Sequence, residues 1–211
     1  MVRMVETTSP AYAWPDVPRI AFGAGPDGDL NACVGWALSR HGDVTSYLEG
    51  SRKAAIATLA AVEDGASPDY LVFPLAFLWR HHLELALKDV IATGQALNGE
   101  EHGVPKTHRL SELWNRAKRH IEPLGPDGAP ELANVELGIL EFEQIDPGSD
   151  EFRYPLDRKG NGSLPTAPEW VDVRRLHEAM IALSNFFSGA RSEIARHIDY
   201  HLEQEASYSN E

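Results

Sequence analysis

Arg80, Glu84 and Lys88 stand four residues apart and follow directly on an oily run, Tyr70 to Trp79. Helix positions four apart lie one above another, so the three form a single polar row, with His81 and His82 flanking it. A charge buried without a partner is strongly unfavourable. The row must therefore pair internally, with distant residues, or with a ligand. One reading is an ion-pair ladder where the helix leaves the core. The other is a pocket wall, with cations for an anionic group and imidazoles for proton transfer.

Two further segments carry residues able to close on the row. In Lys106-Thr107-His108-Arg109-Leu110, Thr107 is a candidate helix cap that aims His108 sideways from the first turn. In Glu151-Phe152-Arg153-Tyr154-Pro155, the apolar neighbours Phe152 and Tyr154 can anchor Arg153 inward. Each has a plain alternative, a cap in the first case and a loop latch in the second.

Helices account for most of the chain. A short one is expected near Leu30–Arg40, and a second runs from a cap at Asp43 or Thr45 to Glu63, with Leu48, Ala55, Leu59 and Val62 as its apolar face. Ser67-Pro68 starts the central helix, which is apolar on every side at first, meets Pro74, continues through Ile91 and ends by Gly94. After a polar loop, helices are expected near His108–Ile121, Glu131–Ile145 and Asp172–His201. The last carries Leu176, Met180, Leu183 and Phe187 on one face. Residues 148–170 are too rich in Pro and Gly for helix, and no period-two pattern lasts long enough for a strand. The expected organisation is an irregular arm over 1–29, one helical domain over 30–205 and a frayed tail over 206–211.

Composition narrows the function classes. A net charge of −13 opposes general binding to phosphate backbones. The single cysteine, Cys33, excludes an internal disulfide and sulfur-rich zinc sites. It reads as a small buried helix residue. HExxH, Walker, dinucleotide-binding and Gly-x-Ser-x-Gly patterns are missing, so neither metal nor cofactor is expected. No run of apolar residues is long enough to span a bilayer and no leader pattern opens the chain, which predicts a cytoplasmic protein without a membrane partner.

The order Glu84-Leu85-Ala86-Leu87-Lys88, then Thr107-His108-Arg109-Leu110 through Leu113, then Arg153-Tyr154-Pro155 and a long final helix resembles the HEPN superfamily over about residues 45–200. Arg80-His81-His82-Leu83-Glu84 resembles a group of uncharacterised bacterial HEPN-like proteins. The resemblance implies an all-α bundle of about five to six helices, a homodimer, and a place in toxin–antitoxin or anti-phage systems, with an antitoxin or defence protein as partner.

Active members are metal-independent ribonucleases with an Arg-x4-6-His motif. There Arg stabilises the pentacoordinate phosphate, while His moves the proton as the 2′-OH attacks. Here the motif occurs as Arg191…His197 and Arg196…His201, late in the final helix, where a solvated face complementing the helix dipole is the plainer explanation. Read as a site for RNA or a nucleotide, the chain offers Arg80, His81, Glu84 and His108 as catalytic candidates, with Lys88 and Arg153 as phosphate ligands. The competing reading is a non-catalytic module that dimerises or binds a partner, with the same row as a structural network.

Overall fold

The computed structural model describes residues 23–34, 44–100, 103–125, 130–157 and 159–208. The chain divides into two units, Met1–His41 and Gly42–Glu211. In the first, the described residues form one 3-10 turn, Gly28–Leu30, with the Asp27 carboxylate accepting from the Asp29 amide. Cys33 is exposed and outside any helix, contrary to the buried helical position expected for it. The remainder of the helix expected over 30–40 lies mostly outside the described residues, as does the candidate cap Asp43.

The second unit holds five packed α-helices, and its described residues contain no strand: α1 Thr45–Glu63, α2 Pro68–Leu97, α3 Leu110–Ile121, α4 Pro130–Ile145 and α5 Val173–Tyr208. Helix α2 is central and packs against α1, α3 and α5, while α4 lies against α3 and α5. The core follows the expected periodicities. Ala55 and Leu59 of α1, Leu110, Leu113, Trp114 and Ala117 of α3, and Met180, Leu183 and Phe187 of α5 are all buried around α2. Removing such side chains from water supplies roughly 1.5–3 kcal/mol for each large one.

Helix α2 departs from expectation at both ends. Its first turns are not buried on every side: Tyr70 and Phe73 are exposed, and full burial begins at Leu75. Hydrophobicity marks a residue as able to be buried; the reach of neighbouring helices decides whether it is. The helix also runs through Pro74 and past Gly94 to Leu97. Gly94 is a packing position, because a Cβ there would strike the His120 ring on α3. Ser67 sits at the N-cap with extended backbone, but its hydroxyl makes no cap bond.

The remaining ends have specific causes. At α5 the Asp172 carboxylate caps the helix, accepting from the Arg174 and Arg175 amides at 3.0 and 3.1 Å. This helix continues to Tyr208, beyond the end expected near His201. Thr107 does not cap α3 as expected; its hydroxyl oxygen accepts from the Arg109 amide at 3.1 Å, before the helix begins.

Replacing Gly94 by Ala adds a methyl group that only movement of α2 or α3 can accommodate. The gain in helix propensity is about 1 kcal/mol, and the expected overpacking outweighs it, leaving a net loss of about 1–2 kcal/mol. Urea denaturation checks this: equal or greater stability of the variant would mean that the helices can separate freely here.

Candidate functional site

The polar row does form, and Glu84 is its hub. The carboxylate is buried and receives three partners: Lys88 Nζ to Oε1 at 2.7 Å, His108 Nδ1 to Oε1 at 2.9 Å, and Arg80 Nη1 to Oε2 at 3.4 Å. Burial disfavours the Glu84 carboxylate, but Lys88 and His108 outweigh it and hold its pKa below the ordinary value. The group is therefore an anion at neutral pH.

Arg80 is 0% exposed. Its Nε donates to the Asp146 carbonyl at 3.4 Å, Nη1 to Glu84, and Nη2 to the His108 carbonyl. One guanidinium thus joins α2, the approach to α3 and the end of α4. Arg80 has no surface to offer a phosphate group, which argues against the catalytic role expected of it.

Two acids on the last turn of α4 and just beyond it complete the surroundings. Glu143 accepts from the Ser111 amide and from Ser111 Oγ at 2.8 Å, and from Arg109 Nη2 at 3.1 Å. It caps α3 from another helix, which is the function expected of Thr107. Burial works against its carboxylate, yet the Ser111 and Arg109 donors pull its pKa below the usual value.

Asp146 is wholly buried, and its Oδ1 accepts from the Glu151 amide at 3.3 Å. Its Oδ2 has no donor among the described residues. Burial, and then the adjoining Glu151 carboxyl, push the Asp146 pKa up to about 7. With a proton on Asp146, the two neighbouring acids do not stand side by side as like charges.

The other candidates separate into different places. His81 stacks on Phe77, with ring centroids 6.1 Å apart, and burial lowers its pKa. Arg153 lies over the Phe77 and Tyr154 rings and pairs with Asp150. Its anchor Phe152 packs edge-on against Phe142, as an inward latch requires, but Tyr154 stays largely exposed. Arg153 thus flanks the hub on the Phe77 side and makes no bond to Arg80, Glu84 or Lys88.

His82 turns away from the row altogether. Its Nδ1 meets the Leu48 carbonyl at 3.0 Å and its Nε2 the Ser184 hydroxyl at 2.8 Å. A carbonyl can only accept, so Nδ1 carries the proton and Nε2 accepts from Ser184. Burial lowers the His82 pKa and keeps this tautomer neutral.

On α5, Arg196 and His197 both face Glu193, and Arg191 pairs with Asp89 at 3.4 Å. His201 is exposed near the end of the helix. Arg191, Arg196 and His197 are thus occupied by carboxylates, as on a solvated face.

Among the described residues no group of His, Cys, Asp and Glu is placed to hold a metal ion, and no helix is long and apolar enough to cross a membrane. The arrangement with chemical capacity is the Glu84–His108 pair. The His108 side chain is 64% exposed and held by a buried anion, which leaves Nε2 able to accept a proton. Comparison of the chain with known protein families, curated proteins and solved structures gives no match.

Asp146, Glu143 and Ser184 are the participants that sequence reading missed. Ser184 had a faint signal, as a lone hydroxyl beside Met180, Leu183 and Phe187 on an apolar face. The two acids had none, since acids near a helix end are ordinary surface residues.

Arg80→Ala takes the guanidinium donor from the buried Asp146 carbonyl and from the His108 carbonyl, and removes a cation beside Glu84. The expected loss is about 3–5 kcal/mol in urea denaturation, and a loss below about 1 kcal/mol would reduce the row to decoration.

Asp146 yields a second test. Its folded-state pKa of about 7 lies above the ordinary value of 3.8. Between those values the folded chain holds a proton that the unfolded chain has released, so this group lowers stability as pH rises and the full penalty is present above about 7. Asp146→Asn removes that slope while its amide can donate to Glu151. The stability difference, variant minus wild type, will therefore increase from about pH 5 to about pH 8; parallel profiles would show that Asp146 is ionised throughout.

Proposed function

We propose that this chain is a HEPN-like helical module that acts by binding a protein partner, a second copy of itself first of all, and that the charged row is architecture rather than an RNA-cutting centre. The observation carrying this reading is the saturation of Arg80, whose guanidinium is wholly buried and directed at Asp146, Glu84 and His108. A cation that stabilises a phosphorane must approach the phosphate, and this one is sealed from solvent. The pairing of Arg196 and His197 with Glu193, and the net charge of −13, support the same reading. A role in toxin–antitoxin or anti-phage defence rests on the resemblance of the Arg80–Lys88, Thr107–Leu113 and Arg153–Pro155 segments to that superfamily.

One observation favours a ribonuclease instead: the exposed His108 held at 2.9 Å by Glu84. A neutral imidazole so held can take the 2′-OH proton as that oxygen bonds to phosphorus, with the 5′-oxygen leaving and a cyclic phosphate forming.

Incubation of the purified chain with tRNA and total RNA in EDTA, beside a His108→Ala variant, separates the two readings. The module reading expects no cleavage above the variant and a light-scattering mass of about two chains, the common symmetric assembly. Cleavage abolished by His108→Ala would overturn it in favour of the enzyme.

A further inference from the structure

On the opposite side of α2 from the Glu84 hub, a cleft of about 420 Å³ opens between α1, α2 and α5. It lies wholly within the second unit. Its volume falls in the range of small-molecule sites, roughly 300–1,000 Å³. The buried His82–Ser184 pair lies in its wall, and the Leu48 carbonyl fixes that pair's orientation. His82 is neutral there, so the formal charges facing the cleft come from Glu49, Arg52, Asp89 and Arg191.

Those four do not cancel in the same way. Arg191 and Asp89 form an ion pair linking α5 to α2. Glu49 and Arg52 stand three apart on α1, both half-buried and both lining the cleft. Opposite charges at this spacing commonly pair across a helix surface. Among the described residues, however, neither has an ion pair or hydrogen bond, with the other or with any third group. Two half-buried ions of opposite sign on one wall, with neither side chain in a direct ion pair or hydrogen bond, are complementary to a molecule that brings both signs. Along α5, Ser184, Ser188 and Ser192 repeat every four residues on the cleft side, and Asn185 adds an amide. Ser184 is engaged with His82 and the Ser192 hydroxyl donates to the Ser188 carbonyl, so Ser188 and Asn185 are the neutral hydrogen-bonding groups that the α5 side of the lining adds.

We propose that the cleft binds a small zwitterion of the free amino acid or dipeptide class, with its carboxylate on Arg52 and its ammonium group on Glu49. Arg suits the acid end because its planar fork can grip a carboxylate through two parallel bonds. A phosphate ester without an amine would satisfy Arg52 but would meet the Glu49 carboxylate as a like charge, so the pair of ions selects against it. The row on the far side of α2 takes no part, and the inference stands whether the partner-binding reading or the ribonuclease reading holds.

The test uses the full chain in thermal-shift and titration calorimetry measurements. The probes are each free L-amino acid and glycylglycine, the N-acetyl and C-amide forms of every one that binds, and inorganic phosphate. At least one zwitterion is expected to bind saturably, with about tenfold or greater loss when either of its charged ends is blocked. Arg52→Ala and Glu49→Gln are each expected to weaken it by about the same factor, with little change in melting temperature without ligand, since both positions make no internal bond. Ser188→Leu, which puts a bulky apolar side chain into the α5 side of the lining and leaves both ions in the chain, is expected to abolish binding. The proposal is overturned if no zwitterion binds, if the blocked forms bind as well as their parents, if phosphate alone binds as tightly, or if the ion-removing variants retain full affinity.

Discussion

A guanidinium sealed from water has to direct its N–H groups at protein acceptors, and the arrangement around Arg80 follows from that requirement. The Asp146 carbonyl, the Glu84 carboxylate and the His108 carbonyl all have to reach one point inside the protein. This requirement sets where the chain enters α3 and where α4 stops. Hydrophobic burial holds α2 among its neighbours, but it is non-directional. The Arg80 contacts carry direction, and the Glu143 carboxylate on the Ser111 amide adds a second directional tie between the same two segments.

Helix α2 performs two polar tasks on separate faces. The residues at 80, 84 and 88 tie it to the α3 and α4 side, while His82 ties it to Leu48 of α1 and Ser184 of α5. Between them lies the oily interior of Trp79, Leu83, Leu87 and Ile91. The protonation states follow these surroundings. Glu84 stays charged among cations, His82 stays neutral in a setting of low polarity, and Asp146 retains its proton far above the usual range. Glu84 and Asp146, two carboxylic acids of similar intrinsic acidity, thus have their pKa values moved in opposite directions by their surroundings.

Periodicity made the bundle legible. Leu110, Leu113, Trp114 and Ala117, and likewise Met180, Leu183 and Phe187, declare their buried faces in the sequence, as does the four-residue spacing of Arg80, Glu84 and Lys88. That the row needs partners was readable as a necessity, because buried charges demand them; of the two segments able to supply them, the 108 segment meets the row, while Arg153 pairs with Asp150 instead. What it could not reveal was which atoms would meet: Arg80 takes the carbonyl of His108, and Glu84 takes its ring. Helix ends were least legible, since they depend on remote groups. Gly94 has the composition of a stop signal, but its lack of a side chain serves close approach to His120. His81 and His82, adjacent in sequence, are separated by the helical turn, so one stacks on Phe77 and the other enters the core.

The cap that Glu143 places on α3 has a consequence for the order in which the chain is assembled. Sequence-local caps are available as soon as a helix is made, but this one lies 32 residues further along. At synthesis rates of about 5–20 residues per second, the first turn of α3 leaves the ribosome a few seconds ahead of the carboxylate that completes it. Until then the Ser111 amide has only water as a partner, and Arg80 lacks the Asp146 carbonyl as well. Both vacancies close when the end of α4 arrives, so newly made α2 and α3 acquire their final junction in one late step.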